Sequence, residues 1–262
     1  MSAELLTLFS TNNIILFIIV LTRLSGFFVS APLFSTYPIP NQVKIWLCAT
    51  VAFLIYPFLA NQGNVVIPSS IPVLTSFLAL EFAIGFLLGY VAKILFMGVQ
   101  LSGHVISMQM GLSVAETLDP TSGNQAPALG TFYVYIISLI FLAVNAHLYL
   151  FATIYQSFNA IPIGQEFVFS PEFVHSVVVL MASLFAIAIK VVMPVFAVMF
   201  SVEVLMAVVA KSMPQMNIFM VSLPFKIIVG LVVMLVFLSP TMSYMVSLIE
   251  DYTNQIMHLL LG

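Results

Sequence analysis

Charge is what this sequence has least of. Its 262 residues include only six Lys or Arg and nine Asp or Glu, 6% in all, where soluble domains carry about a quarter. So little charge excludes an ordinary soluble domain, and the six basic residues are too scattered to form a patch for nucleic acid or anionic lipid. No nucleic-acid partner is expected. Cysteine is almost as scarce: Cys48 stands alone, which excludes an internal disulfide and any thiolate metal cluster. His104, His147, His175 and His258 show no i, i+3 or i, i+4 pairing and join no acidic residue in a ligand-like group, so no metal site is expected. No phosphate-binding loop, nucleophile elbow or HExxH-like pattern occurs. The chain is expected to be no enzyme and to carry no cofactor. No Lys or Arg precedes Arg23, so the start lacks the positive n-region of a cleaved signal, and the first apolar run is expected to be retained.

What is there is hydrocarbon: 62% hydrophobic residues and a mean hydropathy of +1.20. Apolar runs cover about Ile14 to Ala31, Ile45 to Ala60, Ile71 to Val105, Leu129 to Phe158, Val174 to Ala210 and Ile218 to Leu238. They are continuous and do not alternate with polar positions, which favours helices over a β-barrel. The expected fold is all-α, an integral membrane-type protein of about six hydrophobic helical segments in contact with membrane lipid. A bilayer core needs about 20 helical residues. Pro-, Gly- and Asn-containing stretches at 31–42, 61–72, 106–130, 159–172 and 211–217 separate the runs, because these residues break or turn a helix. The end SYMVSLIEDYTNQIMHLLL either prolongs the last segment or lies in the interface. The sparse Lys and Arg of the loops place odd-numbered loops on the cytoplasmic side and both termini opposite.

Two runs are too long for a plain span. Val174 to Lys211 as one helix would reach about 57 Å at 1.5 Å per residue, against about 30 Å of hydrocarbon. It must bend, fold back as a hairpin or leave the bilayer, and Pro194 is the expected kink. Arg23, Glu81, Lys93, Lys190, Glu203 and Lys226 lie inside apolar runs, where lipid penalises each charge by about 2.5 to 3.5 kcal/mol at mid-span. Such residues either line an ion path or pair with each other or with partner subunits. Opposite signs are available and no carboxylate chain forms a relay, which favours pairing. Lys226 is expected to meet a carboxylate, Glu203 across a hairpin, or a backbone carbonyl. Gly85, Gly89, Gly98 and Gly103 in the third run offer small surfaces for close helix approach.

The segment ISMQMGLSVAETLDPTSGNQAPALG, 106–130, is the polar exception. Asp119-Pro120 and Ser122-Gly123-Asn124 are turn formers, and a connection of about twenty residues is usually functional or disordered. Leu112, Val114, Ala115 and Leu118 seek an enclosed site, while Met108 and Met110 at its start are flexible, polarisable gasket material. Irregular backbone at membrane depth survives only inside protein or along an aqueous cavity. A loop folded into a pore meets these demands; an ordinary surface loop is the alternative.

RLSGFFVSAPLFSTYPIPNQVK, EFAIGFLLGYVAK, GHVISMQMGLSVAETLDPTSG and PVFAVMFSVEVLMAVVAKSMPQMNIFMVSLPFKIIVG together resemble the R-type export-gate family of the bacterial flagellar type III secretion apparatus, over essentially the whole chain. The resemblance implies a non-enzymatic subunit, present once, in a helical assembly with P-type and Q-type proteins and the B-type switch protein. It would sit in the flagellar basal body at the bacterial inner membrane and pass unfolded exported proteins. It further implies a P-like part, 1–172, and a Q-like hairpin part, 173–262, stacked as hairpins with an unconventional membrane topology. The family's plug loop maps onto 109–125, with Met108, Met110, Leu112, Val114, Leu118, Asp119 and Pro120 at or in it. The T-type subunit of virulence injectisomes is a related alternative, and a small secondary transporter is a second.

Overall fold

The computed structural model describes residues 11–60, 70–112, 128–163, 171–213, 215 and 217–261. Among them the chain forms helices α1 (Thr11–Ser30), α2 (Pro32–Thr36), α3 (Asn41–Ala60), α4 (Ile71–Gln109), α5 (Ala128–Ala143), α6 (Ala146–Ala160), α7 (Pro171–Ser212) and α8 (Ile218–Leu261), and no strand. Away from water a helix satisfies its own backbone donors and acceptors, so continuous Leu, Ile, Val, Phe and Met sequence is drawn into this form. Five of these helices, α1, α3, α4, α7 and α8, are long and apolar enough to cross a membrane, and α5 with α6 makes a sixth if counted as one broken span. The molecule is thus an all-α membrane protein.

Two expectations change, and one open alternative is decided. The run Leu129 to Phe158 is two helices, broken at Val144 and Asn145, where Asn145 takes the left-handed conformation (φ 56°); Asn tolerates that backbone better than most residues. Val174 to Lys211 is neither interrupted nor folded back: α7 runs unbroken through Pro194. The final stretch prolongs α8 through Pro224 and Pro240. In an all-apolar setting the helix is worth keeping even where a proline removes one N–H donor.

The contacts gather into two compact units, each drawn from several parts of the chain. One contains residues 1–93, 145–179 and 251–262, the other 94–144 and 180–250. The first unit is organised around α1. Its buried residues Leu16, Ile19, Val20, Leu24 and Phe27 recur at helical spacing, with Cys48, Ala52, Tyr56 and Leu59 buried on α3. The crossing of α1 with α4 is made by small residues: a Cβ on Gly26 would run into the backbone of Phe82 and Phe86, and one on Gly85 into the carbonyl of Arg23. This close approach brings Ser30 Oγ within 2.8 Å of the Phe86 carbonyl, to which it donates.

In the second unit Val99, Ile106 and Met110 of α4, Tyr133, Ile137 and Phe141 of α5, and the row Ile187, Val191, Val195 and Met199 of α7 are buried. The end of α7 and the start of α8 form a hairpin, since Glu203 and Lys226, on either side of the turn, meet at 2.7 Å.

Much apolar surface stays open: only 28% of the residues in an 18-residue apolar window of Val174–Ser212, and 17% in one of Met220–Thr253, are buried. Helices of 42 and 44 residues are about 60 Å long at 1.5 Å per residue, twice the hydrocarbon thickness of about 30 Å. Lipid cannot cover them whole.

Glycine positions should differ in tolerance according to what each faces. Gly85→Ala drives a methyl into backbone and is expected to cost about 1 to 3 kcal/mol. Gly230→Ala meets the side chain of Met110 and no backbone, and should cost less. Thermal unfolding of the assembled protein checks this order; equal losses would show that the α1–α4 crossing is not close-packed.

Candidate functional site

Charge is concentrated at two places. In the first unit, Arg23 of α1 is 0% exposed and Glu81 of α4 4%. Arg23 Nε donates to Glu81 Oε2 at 2.5 Å. Its Nη1 donates to the Ser157 carbonyl at 2.9 Å and Oγ at 3.3 Å, and its Nη2 to the Ile161 carbonyl at 3.0 Å. The guanidinium also stands 4.2 Å from the centroid of the Phe158 ring. Ser157 lies in the last turn of α6 and Ile161 is its C-cap, at the helix end where the dipole is negative and carbonyls accept further donors. One planar fork therefore answers a carboxylate and two carbonyls at the end of α6, of which Ser157's also accepts the Ile161 N–H, a geometry that Lys, as a point charge, does not reproduce. Three helices are tied at one buried point.

In the second unit, Lys226 Nζ donates to Glu203 Oε1 at 2.7 Å, with side chains 21% and 41% exposed. On α8, Leu223, Lys226 and Gly230 are spaced i, i+3, i+7 and so share a face. The end of α4 rests on that stretch. Met110 is fully buried with its thioether over Gly230, and Gly111, whose φ of +77° only glycine adopts readily, faces Leu223. The polar segment that follows α4 is thereby held at its base, beside the ion pair that closes the α7–α8 hairpin.

The remaining charges stand apart. Lys93 is half-buried, Lys190 is exposed, and neither has an ion pair or hydrogen bond among the described residues. Of the loop residues, Met108 is helical and 56% exposed, Met110 is buried and Leu112 half-buried. Val114, Leu118, Asp119 and Pro120 lie outside the described residues. Sequence reasoning named Arg23 and Glu81 without matching them, and it missed Ser157 and the Ile161 carbonyl. The one available signal was Pro162 after NAI, which marks a helix end whose carbonyls need donors.

The family model "Bacterial export proteins, family 1" matches residues 14–252, a span that contains both charged centres and the base of the loop. The chain belongs to that family. It is 34% identical over 229 residues to the flagellar biosynthetic protein FliR of Bacillus subtilis (strain 168), covering 85% of this chain and 86% of that protein. It is 29% identical over 219 residues to FliR of Escherichia coli (strain K12), covering 82% and 80%. It is also 28% identical over 213 residues to the surface presentation of antigens protein SpaR of Shigella sonnei, covering 80% and 82%. In this export-family chain the two centres differ in depth, and burial decides their worth.

Arg23→Met would leave Glu81 uncompensated and remove the Arg donors from the Ser157 and Ile161 carbonyls, a loss expected at about 3 to 5 kcal/mol, as for a broken buried pair. Lys226→Met breaks a partly exposed pair and should cost about 1 kcal/mol or less. Yields of folded protein from the native membrane check the difference, and Arg23→Met at wild-type yield would contradict the network's role.

Proposed function

We propose that the chain is a non-catalytic subunit of the flagellar type III protein export gate, seated in the basal body at the bacterial inner membrane. Its segment 109–125 closes the channel through which unfolded proteins pass. The observation that carries this reading is the seating of Met110 and Gly111. A long helix brings the chain to α8, pins it there by a fully buried thioether, and releases a polar segment rich in turn formers. The names of the FliR relatives support the flagellar setting.

The physics of closure favours such a segment. A barrier that opens must be held by contacts a substrate can replace, because a ligand shifts an equilibrium only by its differential affinity for the two states. Leu112, Val114 and Leu118 supply apolar contacts that an unfolded chain can match, while the base at Met110 stays fixed. The polar share of the segment keeps it from settling into lipid. P-type and Q-type proteins complete the ring and the B-type switch protein lies alongside, with 1–172 taking the P-like place and 173–262 the Q-like place. That apportioning rests on the resemblance; Glu172 and Phe173 fall just inside α7. The similarity to SpaR favours the injectisome export gate as the second reading.

Replacing Leu112 to Gln125 by a short Gly-Ser connection is expected to leave the assembly intact and make the membrane leaky to small ions. Ion flux into vesicles or cells measures it. Normal assembly with a tight membrane and unaffected export would remove the segment from gating.

A further inference from the structure

Helices α7 and α8 are about twice as long as a bilayer is thick, but α1 and α3 fit it: 20 residues each at 1.5 Å per residue make about 30 Å. Of these two, α3 is the open one. Half of the 18-residue apolar window of α1 is buried, against 28% of that of α3. Cys48, Ala52, Tyr56 and Leu59 turn inward, while Val43, Trp46, Leu47, Phe53, Leu54 and Phe58 are exposed on the other side.

The chemistry of that outer side suits lipid. Thr50 is exposed on it, and its Oγ1 donates to the Trp46 carbonyl at 2.8 Å, so its hydroxyl brings no unmet hydrogen bond into hydrocarbon. Pro57 removes one N–H, a loss that membrane helices tolerate. Helices that meet in a membrane do so through small residues, yet the small residues of α3 lie elsewhere: Ala52 is buried and Ala49 half-buried. The outer side carries bulky side chains that hold another backbone away. Polar residues mark both ends, Asn41 and Gln42 at the start and the sequence NQGN, 61–64, after Ala60. Lys44, the one charge in α3, stands in the first turn and has no ion pair or hydrogen bond among the described residues. Trp46, two residues on, is 73% exposed. An indole, apolar but for one N–H, settles where hydrocarbon meets headgroups, and a lysine lays its stem along apolar surface while its ammonium reaches the phosphate level.

We propose that the outer side of α3 is a lipid-contact surface that sets the depth of the chain in the bilayer. Trp46 lies at the headgroup boundary, Lys44 pairs there with the phosphate of one anionic lipid, and Phe53, seven residues on, lies about 10 Å deeper. This inference does not depend on the export-gate reading.

The test uses the assembled complex in vesicles of phosphatidylcholine and phosphatidylglycerol whose acyl chains carry bromine either near the headgroup or near the chain end. Trp46 is the only Trp of the chain, and subtracting the emission of a Trp46→Phe complex isolates its fluorescence. Shallow bromines are expected to quench it at least about twofold more than deep ones, which lie about 15 Å further in, at half the hydrocarbon thickness. Moving the indole inward, by Trp46→Phe with Phe53→Trp, should reverse that order. With bromine on one lipid class at a time, Trp46 should report about fivefold enrichment of the anionic lipid, and Lys44→Gln should abolish it. Absence of quenching by either lipid would mean that protein covers the surface and would overturn the lipid assignment. Stronger quenching by the deep bromines would overturn the depth, and undiminished enrichment in Lys44→Gln would overturn the headgroup contact.

Discussion

The Arg23 guanidinium is the constraint from which the first unit is built. It is the largest fully buried side chain in the described structure, and a cation withdrawn from water has to be answered on every side. Glu81 answers its charge, the end of α6 answers its remaining donors, and Phe158 covers a face. For those groups to converge, α1 and α4 must cross almost backbone to backbone, which is why Gly26 and Gly85 stand at the crossing. Removing water from such a network makes it strong when complete and costly when incomplete.

The second unit reaches the same end with lighter means. Its Glu203–Lys226 pair is partly exposed, and its precision comes from packing: Gly103 against Gly130, Gly98 against Ile187 and Leu184, Met110 over Gly230. The outer faces of α7 and α8 are hydrocarbon over a length that no bilayer spans. Such a surface belongs to a subunit whose stability depends on neighbours, because the apolar area it exposes alone is large enough to drive association. Within the export family, a charge-tied interior and an unfinished exterior suit a component of a larger assembly.

Much of this was legible in the sequence. The continuous apolar runs announced helices, and their number follows from turn chemistry at 31–42, 61–72 and 159–172. The match of Lys226 to Glu203 was readable because both lie near one turn. Arg23 and Glu81 are 58 residues apart on different helices, and no local pattern encodes such a meeting. The break at Asn145 was hidden because a single Asn in an apolar run usually passes within a helix, while the survival of α7 through Pro194 was hidden because propensities measured in water overstate helix breaking in hydrocarbon. Lys190, by contrast, looked like the other intramembrane charges in sequence, and only the structure separates it from the paired ones.

The central claim, a proposal, is that the paired charges Arg23–Glu81 and Glu203–Lys226 bind helices together and do not carry ions or protons for transport. The most direct measurement is export rate per assembled complex for Glu81→Gln, which keeps the shape of the side chain and removes its charge. The account predicts fewer complexes, each exporting at the wild-type rate. Wild-type numbers of complexes with export abolished would contradict it and place Glu81 in the transport path.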